Sequence, residues 1–280
     1  MAVSQTPAVA ECRFEFGRNW QNFVGTRLST ERIMAATASL RRVLAIDTLR
    51  GRSFLDIGCG SGLFSLSAAL LGAEKVVGFD VDPYSVQASV DLRARTPVPA
   101  DRWQVRQGSV MDEEFLATLD PADVVYAWGV LHHTGALWQA MDNAVGKVKP
   151  GGSIVLAVYN KVDRRLGGSA QWWDLKRRYN RCPPRLQRLI EYLYVSNFLA
   201  RHLLTLRNPL TAIRNYGAAR RGMDFRHDVR DWLGGFPYEY ATAGDVFNYV
   251  HDKFGLQLHY LNTHDGHACN EFTLVRPFKR

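Results

Sequence analysis

The sequence predicts an α/β fold with a seven-stranded, mostly parallel sheet, a terminal antiparallel hairpin and a helical cap inserted after the fifth strand. From Ser53 to Ile154, short apolar runs alternate with helix-length segments, which is typical of βαβ units and a parallel sheet. Near the end of the chain, the apolar runs LQLHYLN and NEFTLVR are separated by a short HDGHAC turn, which is typical of a hairpin at one sheet edge. Residues 160–240 interrupt this regular pattern.

The first five strands are predicted at the apolar runs SFLDI, KVVGFD, WQVRQ, DVVYAW and SIVLAVY. A helix is predicted at residues 63–71, between the first two of these strands. Asp82 as N-cap and Pro83 at the first helical position begin another helix, which runs towards Arg95.

Two more helices complete the regular pattern. One is predicted from Gly135 to Val148, where Pro150-Gly151-Gly152 would end it. The other begins at Thr242, which forms a capping-box-like pair with Asp245, and ends near Phe254.

Two domain boundaries follow from these patterns. Residues 1–50 carry apolar side chains at helical spacing and are predicted to form an N-terminal helical lid. Residues 51–280 are predicted to form the main domain, interrupted by the cap at 160–240.

The composition, 46% hydrophobic and 22% charged residues, excludes disordered and fibrous proteins. No apolar run reaches the roughly 18 residues of a membrane span, and the N-terminus lacks the features of a secretory signal. A cytoplasmic protein without a transmembrane segment is therefore expected. The four cysteines occur at no regular spacing, so no metal site is expected.

The basic charge of the chain is concentrated in the predicted cap. The net charge is +8, yet residues 160–240 contain 16 Lys/Arg and 7 Asp/Glu, so the remainder is close to neutral. The same segment contains 12 of the 32 aromatic residues. Arginine pairs with carboxylate or phosphate and aromatic side chains stack on rings, so this composition fits an aromatic or acidic ligand, while the basic charge leaves nucleic acid and an anionic membrane surface open as partners.

A glycine-rich loop follows the first predicted strand. The segment Asp56-Ile57-Gly58-Cys59-Gly60-Ser61-Gly62 has the spacing G-x-G-x-G after an acidic residue, and the dinucleotide fingerprint G-x-G-x-x-G would need a glycine at Leu63. A pyrophosphate ligand is therefore disfavoured. Asp80, at the end of the second strand, is positioned to accept hydrogen bonds from the hydroxyls of a ribose.

These motifs together resemble those of class I S-adenosylmethionine-dependent methyltransferases, which have a Rossmann-like fold. LDIGCGSG, VVGFDVDP, RQGSVMD, DVVYAWGVLHHTG and KPGG occur in the order of that class. Within it, FEFGRNW, VLHHTG and CNEFTLV are similar to segments of bacterial small-molecule methyltransferases of the ubiquinone-pathway O-methyltransferase type.

The resemblance implies a set of residues for S-adenosylmethionine. Asp56, Gly58, Gly60 and Gly62 would line its methionine and ribose side, and Asp80 would bind the ribose hydroxyls. The residues expected at the adenine and at the methylsulfonium are Val81, Ser109, Val110, Trp128 and Gly129. Trp20 is a candidate for a lid over the cofactor, with a structural role as anchor of the N-terminal helix as the alternative.

The candidate catalytic residue is His133, which lies just past the fourth strand. A histidine titrates near neutral pH, so it can deprotonate an acceptor hydroxyl or amine. The alternative is a histidine that only caps the following helix. His132, Tyr216, Arg226 and His227 are candidate substrate-binding residues.

The function predicted from these residues is methyl transfer to a small-molecule acceptor, at oxygen or nitrogen. Arginine interleaved with aromatic residues is also typical of RNA-binding surfaces, so methylation of tRNA is the alternative, although nucleic acid is not the favoured partner. A non-catalytic cofactor-binding protein is a third hypothesis. The segment Arg185–Leu206 is amphipathic with basic ends, and either packs on the catalytic domain or lies on an anionic membrane.

Overall fold

A computed structural model describes residues 14, 16–26, 28–206, 208–216 and 225–278. Its centre is a seven-stranded sheet in the order β3-β2-β1-β4-β5-β7-β6. The strands are β1 Ser53–Ile57, β2 Lys75–Asp80, β3 Trp103–Gln107, β4 Ala122–Trp128, β5 Val148–Tyr159, β6 Gln257–Asn262 and β7 Cys269–Val275. The first five strands are parallel, whereas β7 is antiparallel to both β5 and β6. The predicted sheet and its terminal hairpin are therefore confirmed.

Helices cover both faces of the sheet. Their bounds are α1 Phe16–Thr26, α2 Thr30–Leu44, α3 Leu63–Leu70, α4 Pro83–Ala94, α5 Glu113–Ala117, α6 Leu137–Gly146, α7 Ser169–Arg181, α8 Pro184–Leu204, α9 Pro209–Arg214, α10 Phe225–Gly234 and α11 Ala243–Phe254. Side chains of α2, α3 and α4 join one hydrophobic core, and those of α5, α6 and α11 join another on the opposite face. This arrangement leaves the carboxyl ends of the parallel strands accessible as a crevice.

The predicted helix starts agree with the structure. The Asp82 carboxylate accepts a hydrogen bond from the Tyr84 amide, at 2.9 Å, and Pro83 occupies the first turn of α4. Thr242 and Asp245 exchange the two hydrogen bonds of a capping box at the start of α11.

The segment Pro150-Gly151-Gly152 differs from its prediction. Helix α6 ends at Gly146, and β5 begins at Val148, so the three residues lie inside a strand instead of ending a helix. The strand tolerates them because the pairing of β4 with β5 is irregular there, while Gly151 and Gly152 exchange backbone hydrogen bonds with Arg276, both at 2.8 Å. The backbone of Gly151 and Gly152 is thus paired with the residue that follows β7.

The chain between β5 and α11 forms the cap, which includes helices α7 to α10. Its small core contains Tyr179, Phe225, Val229 and Leu233. The long helix α8 packs on this core with part of its surface but has no buried residue. The basic segment is therefore a layer with its own apolar centre, separate from the two cores on the sheet.

The two N-terminal helices have different positions. Helix α1 packs against α4, and the Gly17 amide donates to the Asp82 carboxylate at 2.8 Å. Helix α2 buries Leu40 and Val43 in the core on one face of the sheet. Both helices contribute to the cavity lining, α1 through Phe16 and Trp20 and α2 through Arg42. In the described part of the chain, no helix combines the length and apolar character needed to cross a membrane.

Candidate active site

The glycine loop joins β1 to α3 at the carboxyl edge of the sheet. Gly58, Gly60 and Gly62 have φ values of 66°, 53° and 76°, which residues other than glycine rarely adopt. A Cβ atom on Gly58 would lie 2.6 Å from the Val130 side chain, and one on Gly62 would lie 2.8 Å from the Ser89 hydroxyl. Glycine is therefore required both by the backbone conformation and by the space at these positions.

Two carboxylates flank the loop. The buried Asp56 accepts a hydrogen bond from the Ser65 hydroxyl at 2.6 Å, and burial raises its pKa to about 7. Asp80 accepts from the Gly60 amide at 3.0 Å and from the Asp82 amide at 2.9 Å. The Asp80 side chain is thereby held at the end of β2 with its carboxylate beside the loop, where its oxygens line the cavity.

Helix α1 brings Trp20 against the loop. A Cβ atom on Gly60 would lie 3.1 Å from the indole nitrogen of Trp20, so this glycine allows the ring to approach the backbone. Both residues line the same cavity. The position of Trp20 is compatible with both roles considered for it, a cover over the crevice and an anchor of α1.

The positions expected at the adenine lie together. Val81, Ser109 and Val110 all line the cavity at the ends of β2 and β3. The Ser109 hydroxyl accepts a hydrogen bond from the Met111 amide at 3.1 Å, which orients the turn after β3. Val81 is 39% exposed and provides apolar surface that is open to solvent, whereas Val110 is buried.

Trp128 and Gly129 end the fourth strand and also line the cavity. The Trp128 indole donates to the Glu271 carboxylate at 2.9 Å, and Glu271 in turn accepts from Asn262 at 3.2 Å. A carboxylate on β7 thus fixes the orientation of the Trp128 ring. Gly129 has a φ of 73° with open space where a side chain would be, so the strand end turns sharply beside the cavity.

One continuous cavity of about 1540 Å³ joins this crevice to the underside of the cap. Its far wall is rich in aromatic side chains. The aromatic residues that line it from β5 and the cap are Tyr159, Trp172, Tyr194, Phe198, Tyr216, Phe225, Trp232 and Phe236. The cavity is therefore larger and more aromatic than the crevice alone, and it is shared between the two layers.

His133 lies where the crevice and the cap meet. Its Nδ1 atom is 2.6 Å from the Pro237 carbonyl oxygen, and a carbonyl oxygen can only accept, so Nδ1 carries the hydrogen. In the neutral ring, Nε2 is then the atom that can take up a proton. Phe16 of α1 and Tyr159 pack against the ring at centroid distances of 5.0 and 5.5 Å. The side chain lines the cavity in a fixed orientation.

The prediction that His132 binds substrate is wrong for this arrangement. The ring is fully buried behind Tyr159, at a centroid distance of 4.1 Å, and does not line the cavity. Burial lowers its pKa well below the ordinary value, with the neighbouring His133 as the second cause, so the ring is neutral. The two histidines lie in a tight helical turn at Leu131–His133, which points adjacent side chains in different directions.

The candidate substrate residues of the cap have different outcomes. Tyr216 lines the cavity and donates from its hydroxyl to the Asp228 carboxylate at 2.6 Å. Arg226 is exposed to solvent and is not part of the cavity wall, which corrects the prediction for that residue. The side chain of His227 lies outside the described part of the structure.

Two carboxylates on α10 were not predicted as site residues. Asp228 and Asp231 both line the cavity, and Asp231 accepts from the Asn19 amide of α1 at 2.8 Å. Burial, followed by the proximity of Asp228, raises the pKa of Asp231 well above its ordinary value. The helical spacing of Phe225, Val229 and Leu233 indicates which face of α10 is buried. It does not indicate that the neighbouring aspartates line a cavity.

A fully buried lysine supports the aromatic wall from behind. Lys176 of α7 donates to the Trp232 carbonyl, and its ammonium lies 4.0 Å from the Trp232 ring centroid and 4.9 Å from that of Tyr238. Burial lowers its pKa to about 7. Lys176 is absent from the cavity wall and therefore acts on the site only through the rings it supports.

Among the described residues, no group of three or more His, Cys, Asp or Glu side chains could hold a metal ion. His264 and His267 both line the cavity, but the His267 ring is directed to the Gly167 carbonyl, with Nε2 at 2.6 Å.

Sequence comparison relates the chain to methyltransferases. Curated relatives include ribosomal protein L11 methyltransferase of Azotobacter vinelandii, 39% identical over 109 residues, and that of Pseudomonas paraeruginosa, 37% identical over the same length. Each match covers 39% of this chain and 34% of the relative, so the matched region spans about a third of those proteins.

Comparison with solved structures gives the same fold at low sequence identity. Magnesium protoporphyrin IX methyltransferase from Synechocystis PCC 6803, solved with bound SAH, is similar with a TM-score of 0.53 and 14% identity, covering 92% of this chain and 93% of that one. An O-methyltransferase family protein from Burkholderia thailandensis gives a TM-score of 0.52 and 15% identity, covering 93% and 59%. These matches confirm the predicted Rossmann-like methyltransferase fold.

The family model described as a methyltransferase domain matches residues 29–198, which is more than half of the chain. The matched region extends from α2 through the glycine loop and His133 into the cap. The chain therefore belongs to the methyltransferase domain family.

Proposed function

We propose that this protein transfers a methyl group from S-adenosylmethionine to a small-molecule acceptor held between the crevice and the cap. The observation that carries the proposal is the single cavity, lined on one side by the glycine loop and Asp80 and on the other by aromatic side chains of the cap. A cofactor and an acceptor bound in the same cavity can react directly.

The residues present fit S-adenosylmethionine. Gly58 and Gly60 line the cavity, and their loop lies at a strand end where α/β sheets bind ligands. Asp80 supplies a carboxylate for the ribose hydroxyls. Val81 and Val110 supply apolar surface for the adenine, and Ser109 supplies a polar group at its edge. Trp128 and Gly129 would contact the reactive end of the cofactor.

When bound, S-adenosylmethionine supplies a methyl group that is already activated by a positively charged sulfonium. The protein then has to position the acceptor, exclude water and remove a proton where the acceptor carries one. Aromatic walls from Tyr159 and Trp232 exclude water. His133 has the tautomer that a general base needs, because Pro237 holds the hydrogen on Nδ1 and leaves the proton to be taken by Nε2.

The side chains of the cavity wall also favour certain chemical classes of acceptor. The aromatic lining favours an acceptor with an aromatic or extended apolar body. Asp228 and Asp231 place carboxylates on the inner wall, so an anionic group on the acceptor is better accommodated at the rim, where the exposed Arg164 and Arg201 line the cavity. A hydroxyl nucleophile, as in the O-methyltransferases that the sequence resembles, or an amine suits the interior.

The proposal is tested in two stages, of which the first concerns the cofactor. Calorimetric titration of the full chain with S-adenosylhomocysteine should give saturable binding. Absence of binding by a folded chain would contradict every methyltransferase function and favour a non-enzymatic role.

The second stage identifies the acceptor class. S-adenosylmethionine labelled in its methyl group is incubated with the protein and, separately, with the metabolite, RNA and protein fractions of a cell extract. Label should enter the metabolite fraction, and at a cofactor concentration that does not saturate the protein it should enter more slowly with the Asp80→Asn variant. Label in tRNA alone would favour the nucleic-acid alternative, and label in protein alone would indicate a substrate of the kind named for the ribosomal protein L11 methyltransferases.

A further inference from the structure

The outer face of helix α8 carries an exposed apolar strip. The strip consists of Leu186, Leu189, Tyr192, Leu193, Leu203 and Leu204, whose spacing places them on one side of the helix. Leu189 is 51% exposed, Leu203 63% and Leu204 84%. Such a row of large apolar side chains on the surface of a chain is typical of a contact with a partner or a membrane.

The opposite side of the same helix already has its partners. Ile190, Tyr194 and Phe198 pack against the cap core around Tyr179 and Phe225. Helix α8 therefore does not need the outer strip to pack on the cap. Among the described residues, the strip is left without a covering element.

The surroundings of the strip are strongly basic. Between residues 175 and 202 the sequence has six arginines besides the buried Lys176, against one acidic residue, Glu191. Glu191 is engaged within the cap, because its carboxylate accepts from the Tyr179 hydroxyl at 2.6 Å. Arg185 and Arg188 are exposed and lie on the same helix as the strip. The face combines apolar side chains with uncompensated positive charge.

The mouth of the cavity opens beside this face. Leu166, Leu193 and Arg201 all line the cavity and are also exposed to solvent, Leu166 by 88%. Leu193 thus belongs both to the strip and to the rim. A surface that contacts the strip would therefore lie next to the entrance.

We propose that the outer face of α8 docks on the surface of an anionic phospholipid bilayer, with the leucines in the headgroup boundary and the arginines on the lipid phosphates. An amphipathic helix with arginines and large apolar residues binds such surfaces both by burying apolar area and by electrostatic attraction to the anionic lipids. A second copy of this chain is a poorer partner, since a symmetric contact through this face would bring the two sets of arginines together. A further consequence, that a lipophilic acceptor enters from the lipid side, rests on the proposed function.

The test measures the full chain by co-sedimentation with vesicles of phosphatidylcholine alone and of phosphatidylcholine mixed with phosphatidylglycerol. The wild type should partition onto the anionic vesicles and be released by salt. Leu189→Gln combined with Leu203→Gln should weaken this partition about tenfold or more, because glutamine preserves helix propensity but removes apolar surface. Arg185→Gln combined with Arg188→Gln should weaken it about thirtyfold.

Matched controls carry the same changes elsewhere. Met34→Gln combined with Leu70→Gln alters two exposed apolar residues on α2 and α3, and Arg41→Gln combined with Arg52→Gln alters two exposed arginines. Both should partition like the wild type. Calorimetric titration with S-adenosylhomocysteine reports separately on folding and cofactor binding, so a chain that binds vesicles but no cofactor would sink the proposed function and leave the docking surface standing.

Several results would overturn the docking proposal. Wild-type protein that fails to bind anionic vesicles, or binds both vesicle types equally, would do so. Unchanged partition of the leucine variant would have the same meaning. A wild-type dimer in velocity sedimentation without lipid, converted to a monomer by the leucine variant, would assign the face to a second copy of the chain.

Discussion

The crevice and the cap are organised by different kinds of interaction. In the crevice, the positions of the functional groups follow from the backbone, through three left-handed glycines and a carboxylate held by the Gly60 amide. In the cap, they follow from side-chain packing, with Trp172 and Trp232 in ring contact at 4.9 Å and a buried lysine behind them. Changes in the crevice should therefore act locally, whereas changes in the cap should spread through the packed rings.

His133 belongs to both regions, and its loss should have the largest effect. Replacing it with Asn removes the base while the Pro237 segment stays in place, so turnover of the acceptor found by labelling should fall about a hundredfold or more. Affinity for S-adenosylhomocysteine should stay unchanged. His259→Asn, on the exposed edge strand, is the matched control. Full turnover in His133→Asn would leave the residue a structural role at the join between the two regions.

A glycine series tests how strictly the backbone controls the crevice. Gly62→Ala meets both an unfavourable φ of 76° and the Ser89 hydroxyl, so the free energy of unfolding should fall by about 2 kcal/mol or more. Gly129→Ala has a φ of 73° but open space and should lose only about 1 kcal/mol. Gly146→Ala, at the end of α6 in open space, should stay within about 1 kcal/mol of the wild type. Equal losses at all three positions in urea denaturation would contradict the dual requirement.

Asp80 tests whether a single carboxylate in the crevice acts on the cofactor alone. Asp80→Asn replaces the charged carboxylate that would accept hydrogen bonds from the ribose hydroxyls with a neutral amide. Calorimetry should therefore show an affinity for S-adenosylhomocysteine that is reduced about tenfold to a hundredfold. Asp252→Asn, exposed on α11, should bind like the wild type. An affinity for Asp80→Asn that matches this control would exclude the carboxylate from cofactor binding.

The buried lysine gives the cap a pH dependence that the crevice glycines cannot have. Unfolded Lys176 titrates near 10.5, and burial lowers its pKa in the folded protein to about 7. Between these values the unfolded chain binds a proton that the folded protein does not. The contribution of Lys176 to the free energy of unfolding therefore rises with pH, by at most about 1.4 kcal/mol per pH unit. The free energy of unfolding of Lys176→Met, measured from pH 7 to 9, should not show this rise with pH.

Lys75→Met, an exposed lysine on β2, is the matched control and should keep the pH dependence of the wild type. Identical pH profiles for Lys176→Met and the wild type would mean that Lys176 is charged in the folded protein. The rings around it would then form a cage for an ammonium ion.

The same contrast explains what could be predicted from the sequence. Strands, caps and the glycine loop depend on neighbours within a few residues, so the pattern around Gly58 and Asp80 was sufficient to find them. The orientation of His132, one residue from His133, depends on how a single tight turn lies against Tyr159. No local pattern contains that information.

The cap shows the same limit over longer distances. Asp231 meets Asn19 across 212 positions of the chain, and Trp128 meets Glu271 across 143. The charge count identified the cap as basic, yet the exposed Arg226 lies outside the cavity and the two unpredicted aspartates of α10 lie in its wall. Composition describes the surface of such a layer better than its interior.

Helix α1 connects the two regions through consecutive residues. Asn19 donates to Asp231 of the cap, and the next residue, Trp20, lies against Gly60 of the glycine loop. Where a ligand bound at the crevice changes the affinity of the cap for a second ligand, the second ligand changes the affinity of the crevice by the same free energy. Two adjacent residues of one helix thus contact both regions that line the cavity.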